Sequence, residues 1–343
     1  MNHSTVLKLA SLMLASFVTV IPQQAPAQAK AKFSARIGHL EAPTQPRHQG
    51  LLKVAQLVKE RTKGEVDLQI FPSSQLGNQR VMTEGTQFGT IQGTVSPAAF
   101  LGGFDPAVSV LDIPYLYPTN RAASQKLREG PFGKAILDSF SSRGLVAITI
   151  WPNGRKSMTS NKSLANLDAY KGQKFRVMDS KILQEQFAAV GASAVSIAFG
   201  ELYTALQTGV VDGQENPLDT IATMKYFEVQ KNLVVTEHGA MEDIVLFNPG
   251  WWKSLPANYQ QIIGRAFDEV RPEVERNKEA AQQTALETIR KAGMQVRVAD
   301  EAERQRLGKA MYARAKAAYL ERAGAEGQKL VALYEAEIKK VGN

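Results

Sequence analysis

Cysteine is absent from this sequence of 343 residues, and histidine is scarce. The first absence excludes disulfide bonds, thiol catalysis and metal sites built from thiolates. The patterns His-Glu-x-x-His and Gly-x-Ser-x-Gly and the phosphate-binding loop are missing as well. We therefore expect no cofactor and no metal. The fold has to be held by its apolar core, for which 44% hydrophobic residues over this length are enough.

Long apolar runs are also lacking. The run Leu9 to Ile21 follows Lys8 and is too short to span a bilayer. Ala27-Gln28-Ala29 then fits the small-x-small rule for cleavage. This arrangement predicts a secretory signal peptide over residues 1–29. The alternative, a membrane anchor, is disfavoured by the short run and by the missing lipobox cysteine.

Continuous basic segments are missing despite a net charge of +8. The 41 Lys and Arg residues are dispersed among 33 Asp and Glu residues, without an aromatic-interleaved patch. A nucleic-acid binder, which would show steep salt-dependent retention on DNA, stays a weaker alternative. An exported protein that attracts anions is the simpler interpretation.

The hydrophobic pattern predicts strands that alternate with helices, which is typical of an α/β fold. A helical pattern runs unusually far, from Pro256 to Lys291, and Pro272 is expected to kink or split it. Trp151-Pro152-Asn153-Gly154 is predicted to be a turn. The length of the chain suggests two domains, and we expect the first crossing between them near this turn.

The chain is organised around the stretch Lys174 to Pro217. Arg176 stands between apolar Phe175 and Val177, so in a strand it faces the opposite way from both. Asn216-Pro217 is predicted to be a helix N-cap with proline in the first turn. Taken alone, an arginine at a strand end is more often a surface ion pair than a ligand clamp.

The segment Phe199 to Pro217, FGELYTALQTGVVDGQENP, follows F-x-E-x-Y-x-A-L-Q-T-G-x-V-D-G-Q-E-N-P. It resembles the signature region of the solute-binding proteins of tripartite ATP-independent periplasmic (TRAP) transporters, the DctP family. The loop Phe71 to Gly77 and the triplet Ile113-Pro114-Tyr115 match segments of the same family. A match of this length is far more specific than a motif of a few residues.

The resemblance implies an α/β, two-lobed periplasmic-binding-protein fold with a hinge, a central cleft and a long bracing helix. We expect lobe 1 over residues 30–152 plus 241–280 and lobe 2 over residues 153–240 plus 281–343. The implied function is capture of a small organic acid in the periplasm and its delivery to the small and large membrane permease subunits. The protein is expected to be a monomer and not an enzyme.

The family clamps a substrate carboxylate with an arginine after Gly-x-Lys, a pattern that Arg176 matches at Gly172-Gln173-Lys174-Phe175-Arg176. The planar guanidinium suits a carboxylate bidentately. Asn216 matches the family's ligand-binding asparagine, and Phe199 matches an aromatic that packs on the ligand. A second cation usually comes from Asn-Gly-x-Arg, where this chain has Arg155 and then Lys156. Adjacent strand residues point to opposite faces, so at most one should face the cleft, and the alignment favours Lys156.

Further candidates for ligand contact have a structural role as an equally good explanation; they are Trp151, Glu41, Gln79, Asp179 and His238. The resemblance favours a four-carbon dicarboxylate such as succinate, malate or fumarate. A uronate or a 2-oxo acid is the alternative ligand. Ser96-Pro97 replaces the acidic residue of sialic-acid binders, which disfavours sialic acid. A secreted hydrolase is the alternative of another class, but no carboxylate pair stands at an evident catalytic spacing.

Overall fold

A computed structural model describes residues 31–342 of the protein. The predicted signal peptide lies outside these residues. The described part alternates strands and helices, as the hydrophobic pattern predicts. Its strands are β1 Phe33–Gly38, β2 Val66–Phe71, β3 Gly93–Pro97, β4 Val146–Ser160, β5 Lys174–Val177, β6 Ser193–Ser196, β7 Gly213–Pro217, β8 Asn232–Val235, β9 Ala240–Phe247 and β10 Gln295–Val298. Its α-helices are α1 Pro46–Arg61, α2 Gln79–Phe88, α3 Arg121–Glu129, α4 Pro131–Ser139, α5 Lys181–Ala188, α6 Leu202–Gln207, α7 Leu218–Thr223, α8 Pro249–Ser254, α9 Ala257–Lys291 and α10 Glu301–Val341.

The strands form a mixed sheet in the order β2-β1-β3-β9-β4-β7-β5-β6, and β8 pairs with β4 and β10. Strand β1 is parallel to β2 and β3, whereas β9 is antiparallel to both β3 and β4. The long strand β4 pairs with β9 between Val146 and Arg155 and with β7 between Lys156 and Ser160. The two halves of the sheet therefore meet on one strand.

The predicted turn from Trp151 to Gly154 is wrong, because these residues lie inside β4. The pairing of β4 with β9 continues past them, with a shift of register between Pro152 and Arg155. Gly154 has a φ of 97°, a value that favours glycine, and so accommodates the extra residue of this bulge. Pro-Asn-Gly is typical of turns, but here the same residues bend a continuous strand.

Helix α9 braces both halves of the sheet. Phe267 and Val274 of its first part pack in the apolar cluster around β1 and α1. Ala285 and Ile289 of its last part pack in a separate cluster with α6, α7 and β8. The helix continues through Pro272 and is not split there. Burial on both sides of the proline stabilises the helix against the lost hydrogen bond.

Helix α10 closes the chain along both halves, with non-helical backbone at Gly324. Its residue Met311 packs in the core of the half that contains β5, and its residue Tyr319 packs in the core beside β9. Within residues 31–342, no helix is both long and apolar enough to cross a membrane. The fold thus brings two α/β halves together across β4, and the lobe boundaries given above stay predictions.

Candidate functional site

Arg176 lies in β5 with its neighbours turned into the core. Phe175 stacks on Phe187 of α5, with ring centroids 4.4 Å apart, and Val177 packs in the same cluster. The alternation of a strand then places Arg176 on the other face of the sheet. The guanidinium is held there by one hydrogen bond, from its Nε to the carbonyl oxygen of Ile197 at 2.9 Å.

Arg176 differs from the other buried basic residues. Five basic side chains are buried among residues 31–342, namely Arg47, Arg128, Lys156, Arg176 and Lys278. Four of them have a carboxylate oxygen within 3.1 Å. Arg176 is 1% exposed and has no such partner in the described part of the chain, where its Nη2 also lacks any hydrogen bond. The buried guanidinium of Arg176 therefore retains N–H donors that no group in the described part of the chain accepts.

The charge of Arg176 survives this burial. Burial lowers the pKa of the guanidinium to about 10, against the opposing effects of Tyr226 and Glu215. The group therefore stays protonated at neutral pH. Burying a cation without a partner costs free energy. An anionic ligand that accepts hydrogen bonds from the free N–H groups would offset this cost.

Asn216 lies on the same face of the sheet as Arg176. Strand β7 separates β4 from β5, and its register sets Asn216 opposite Ser157 and Gln214 beside Arg176. The amide nitrogen of Asn216 donates to Oε1 of Gln214. The prediction that Asn216 caps a helix is wrong, because it lies inside β7 and α7 begins only at Leu218. Its role as a ligand contact stays a prediction.

Lys156 lies on the opposite face from Asn216. Its Nζ is 2.7 Å from Oε1 of Glu215, whose Oε2 is 2.6 Å from Nε2 of His238. Nδ1 of His238 pairs with Oγ1 of Thr236 at 2.7 Å. Burial alone would raise the pKa of Glu215, but Lys156 and His238 lower it to about 2. The carboxylate is thus ionised and neutralises Lys156, and both ring nitrogens of His238 are occupied.

The side chain of Arg155 has different partners from that of Lys156. Its guanidinium donates to the backbone carbonyls of Tyr117, at 3.4 Å, and of Pro118. It lines a cavity of about 220 Å³ together with Glu237 and Glu242. The structure therefore does not bring Arg155 and Lys156 to Arg176, and a ligand role for either stays a prediction.

A cavity of about 380 Å³ lies between residues 40–104 and residues 179–199, and neither Arg176 nor Asn216 is among the residues that line it. Three of the predicted ligand residues, Gln79, Asp179 and Phe199, line it. Ile197, whose carbonyl oxygen accepts from Arg176, lines it too. Residues 40–104 form one side and residues 179–199 the other, and the predicted boundaries assign these segments to different lobes. The arrangement suits a small molecule that touches both lobes.

Trp151 and Glu41 lie away from this cavity. The indole of Trp151 is fully buried, and its Nε1 donates to the carbonyl oxygen of Phe267 at 3.3 Å. Oε1 of Glu41 is 2.9 Å from both Nη2 of Arg47 and Nζ of Lys278. Burial alone would raise the pKa of Glu41, but these two cations lower it to about 2.

Glu41 belongs to an ion-pair cluster that connects β9, α1, α7 and α9. Nε of Arg47 is 3.0 Å from Asp243, and Nζ of Lys278 is 2.8 Å from Asp219. We define the ion-pair cluster as Glu41, Arg47, Asp219, Asp243 and Lys278. All five residues are at most 3% exposed, so the cluster connects the predicted lobes in the interior of the protein.

Three polar residues near Arg176 were not predicted from the sequence, namely Gln214, Ser157 and Tyr226. Gln214 orients Asn216, and its position two residues earlier in a strand could have placed it on the same face. The hydroxyl groups of Ser157 and Tyr226 are buried without a hydrogen-bond partner among residues 31–342. No sequence pattern indicated Tyr226, since it approaches Arg176 only through the packing of the chain after α7.

The described residues contain no group of three or more His, Asp or Glu side chains that could hold a metal ion. The family described as bacterial extracellular solute-binding protein, family 7 (DctP), matches residues 37–322. The C4-dicarboxylate-binding periplasmic protein DctP of Rhodobacter capsulatus is 34% identical over 262 residues, which are 75% of this chain and 78% of that protein.

Two solved structures share the fold. A TRAP periplasmic solute-binding protein of Desulfovibrio salexigens with bound orotic acid has 66% identity and a TM-score of 0.90, over 90% of this chain and 100% of that one. A protein of the same type from Shewanella oneidensis with bound succinate has 29% identity and a TM-score of 0.82, over 89% and 99%. The predicted α/β two-lobed fold is confirmed, and it is a fold of transport-associated solute-binding proteins. The chain belongs to the DctP family of periplasmic solute-binding proteins of TRAP transporters.

Proposed function

We propose that this protein captures an organic acid through a carboxylate clamp at Arg176 and delivers it to the membrane permease of a TRAP transporter. The observation that carries the proposal is the buried, charged guanidinium without a carboxylate partner among residues 31–342. A ligand carboxylate would accept from the free donors of Arg176 and neutralise its charge. Asn216, on the same face of the sheet, would supply a neutral contact beside it.

The position of the cavity supports a closing movement on binding. Gln79 and Phe199 line it from segments assigned to different lobes. A ligand that contacts both segments has its full set of contacts only in the closed form, so it shifts the hinge equilibrium toward that form. The closed, loaded protein is the form that would meet the permease.

Orotate is the first candidate ligand. The protein of Desulfovibrio salexigens, at 66% identity, holds orotic acid. Orotate is a planar ring with one carboxylate, and this cavity offers Phe100 and Phe199 as aromatic faces. One clamp at Arg176 would hold the carboxylate.

A four-carbon dicarboxylate is the second candidate. The relative from Rhodobacter capsulatus is named for C4-dicarboxylates, and the protein of Shewanella oneidensis holds succinate. Both are more distant in sequence than the orotate-bound protein. A uronate or a 2-oxo acid would fit the same clamp.

The clamp is tested by calorimetric titration of the purified mature protein with orotate and succinate. We expect Arg176→Gln to weaken binding of the preferred acid by about 100-fold or more, because a charge-assisted pair in a buried site is worth a few kcal/mol. Arg61→Gln is the matched control, since this exposed arginine at the end of α1 pairs with Glu269 of α9. Native affinity in Arg176→Gln would contradict the clamp.

The hydrolase alternative is tested with the same acids. After incubation and denaturation of the protein, the ligand should be recovered chemically unchanged, whereas turnover would contradict a binding role. Delivery is tested by uptake into vesicles that contain the permease subunits. We expect uptake to require the wild-type protein and to fail with Arg176→Gln.

A further inference from the structure

Gln79 is the polar residue at the start of α2 whose amide orientation is fixed by its neighbours. Its Nε2 donates to Oγ1 of Thr94 at 3.2 Å and approaches Oγ1 of Thr83 at 3.5 Å. The Thr94 hydroxyl donates to the carbonyl oxygen of Gly38, and the Thr83 hydroxyl donates to the carbonyl oxygen of Gln79 itself. Each hydroxyl has one proton, so towards Gln79 both can only accept. The amide nitrogen must therefore face the two threonines.

The carboxamide oxygen of Gln79 is consequently left without a donor. The side chain is 3% exposed and lines the 380 Å³ cavity, and its Oε1 has no hydrogen-bond partner in the described part of the chain. A buried acceptor of this kind costs free energy until a donor reaches it. An N–H or O–H group satisfies it, whereas a carboxylate oxygen, which only accepts, is repelled.

The charges around the cavity point the same way. The charged residues that line this cavity are Arg80 and Asp179. Arg176 is not part of the lining, but it donates to the carbonyl oxygen of Ile197, which is. Arg80 is exposed and its Nε is 3.0 Å from Glu84, while Asp179 is itself an anion. Lys156 and the basic members of the ion-pair cluster are already paired with carboxylates. The described residues thus offer one free buried cation for one carboxylate.

From this geometry we infer that the ligand is a monocarboxylate with an N–H or O–H donor at its uncharged end, and that Oε1 of Gln79 accepts from this donor. The inference rests on the proposed clamp, with Arg176 taking the carboxylate. According to this inference, Gln79 determines which organic acids bind more tightly. Orotate, with its ring N–H groups, belongs to the inferred class, and succinate, with a second carboxylate in place of a donor, does not.

The first experiment measures the affinity of the wild-type protein for orotate, galacturonate and succinate by calorimetry. We expect at least one of the two monocarboxylates to bind about tenfold or more tightly than succinate, since it satisfies an acceptor that succinate leaves unpaired. Tighter binding of succinate than of both monocarboxylates would overturn the inference. Absence of binding to all three acids would overturn both the inference and the clamp.

The second experiment combines a change of Gln79 with a change of the donor. The ligand pair is orotate and its N-methyl derivatives, or galacturonate and its deoxy derivatives if galacturonate binds more tightly. Removal of the decisive donor should weaken binding to the wild-type protein by about fivefold or more, and should have little effect on binding to Gln79→Met. Gln87→Met, on the same helix with its amide on the carbonyl oxygen of Arg143, is the matched control and should behave like wild type.

Equal losses in wild type and Gln79→Met, for every donor removed, would overturn the inference and leave the clamp intact. Unchanged affinity of Arg176→Gln for the parent acid would instead contradict the clamp. The thermal midpoint of Gln79→Met without ligand verifies that the variant is folded. Because the ligand series can be measured on the wild-type protein alone, the inference remains testable if that variant does not fold.

Discussion

The ion-pair cluster and the Arg176 site are equally buried but differ in their charge balance. The cluster joins two cations to three carboxylates, and each cation has at least two carboxylate contacts. Arg176 has one hydrogen bond, to a backbone carbonyl, and no carboxylate partner among residues 31–342. The buried charges of the cluster are compensated within the chain, whereas the unpaired charge of Arg176 is the one that we propose binds a ligand carboxylate.

The largest expected effect belongs to the paired region. Lys278→Met should lower the free energy of unfolding by about 3–5 kcal/mol, because Glu41 and Asp219 would stay buried after losing a cation. Urea unfolding of the ligand-free protein measures this. Lys53→Met, which removes an exposed pair with Glu273, should cost under about 1 kcal/mol. A loss of similar size in both variants would remove the distinction between the cluster and a surface ion pair.

At the unpaired Arg176, we expect substitution to have the opposite effect on the free energy of unfolding. Arg176→Met, without ligand, should leave the free energy of unfolding unchanged or raise it by about 1 kcal/mol, because an apolar side chain replaces an uncompensated buried charge. The stabilisation by ligand, about 2.7 kcal/mol in wild type at 100 times the dissociation constant, should disappear. Urea unfolding with and without orotate measures both. Destabilisation as large as that of Lys278→Met would make Arg176 a structural residue.

The sequence predicts much of this comparison but not the pairing. The alternation Phe175-Arg176-Val177 placed Arg176 opposite the core, and the structure has it there. The pattern could not tell which of Arg155 and Lys156 faces the cleft. That depends on the bulge in β4, which is set by pairing with β9, a strand some 90 residues later in the chain. Local sequence contains no information on such a partner.

The same limit explains the other errors. Pro152-Asn153-Gly154 has the composition of a turn, yet long-range pairing keeps it in a strand. Asn216-Pro217 has the composition of a cap, yet pairing with β4 extends β7 through Pro217. Glu41 was a reasonable ligand candidate by type. Its partner Lys278 is 237 residues away, so only the folded chain shows that its carboxylate is already paired.

The smallest effect is expected from a change of pH. The stability contributed by Glu41 and the ligand affinity at Arg176 should change in different ranges of pH. Glu41 has a pKa lowered from 4.5 to about 2 in the fold, so it stabilises the fold above pH 4.5. This contribution is lost as the pH falls from 4.5 toward 2. Arg176, with a pKa of about 10, keeps its charge at all lower pH values. Ligand affinity should therefore be flat between about pH 5 and 8, where a carboxylate ligand is also ionised.

Calorimetry across this range, beside urea unfolding from pH 6 down to 3, measures both responses. Glu41→Gln should show a shallower acid loss of stability than wild type. Glu84→Gln, which removes a partly exposed carboxylate paired with the exposed Arg80, should retain the wild-type slope. An affinity that rises or falls tenfold between pH 5 and 8 would mean that a second titrating group contacts the ligand.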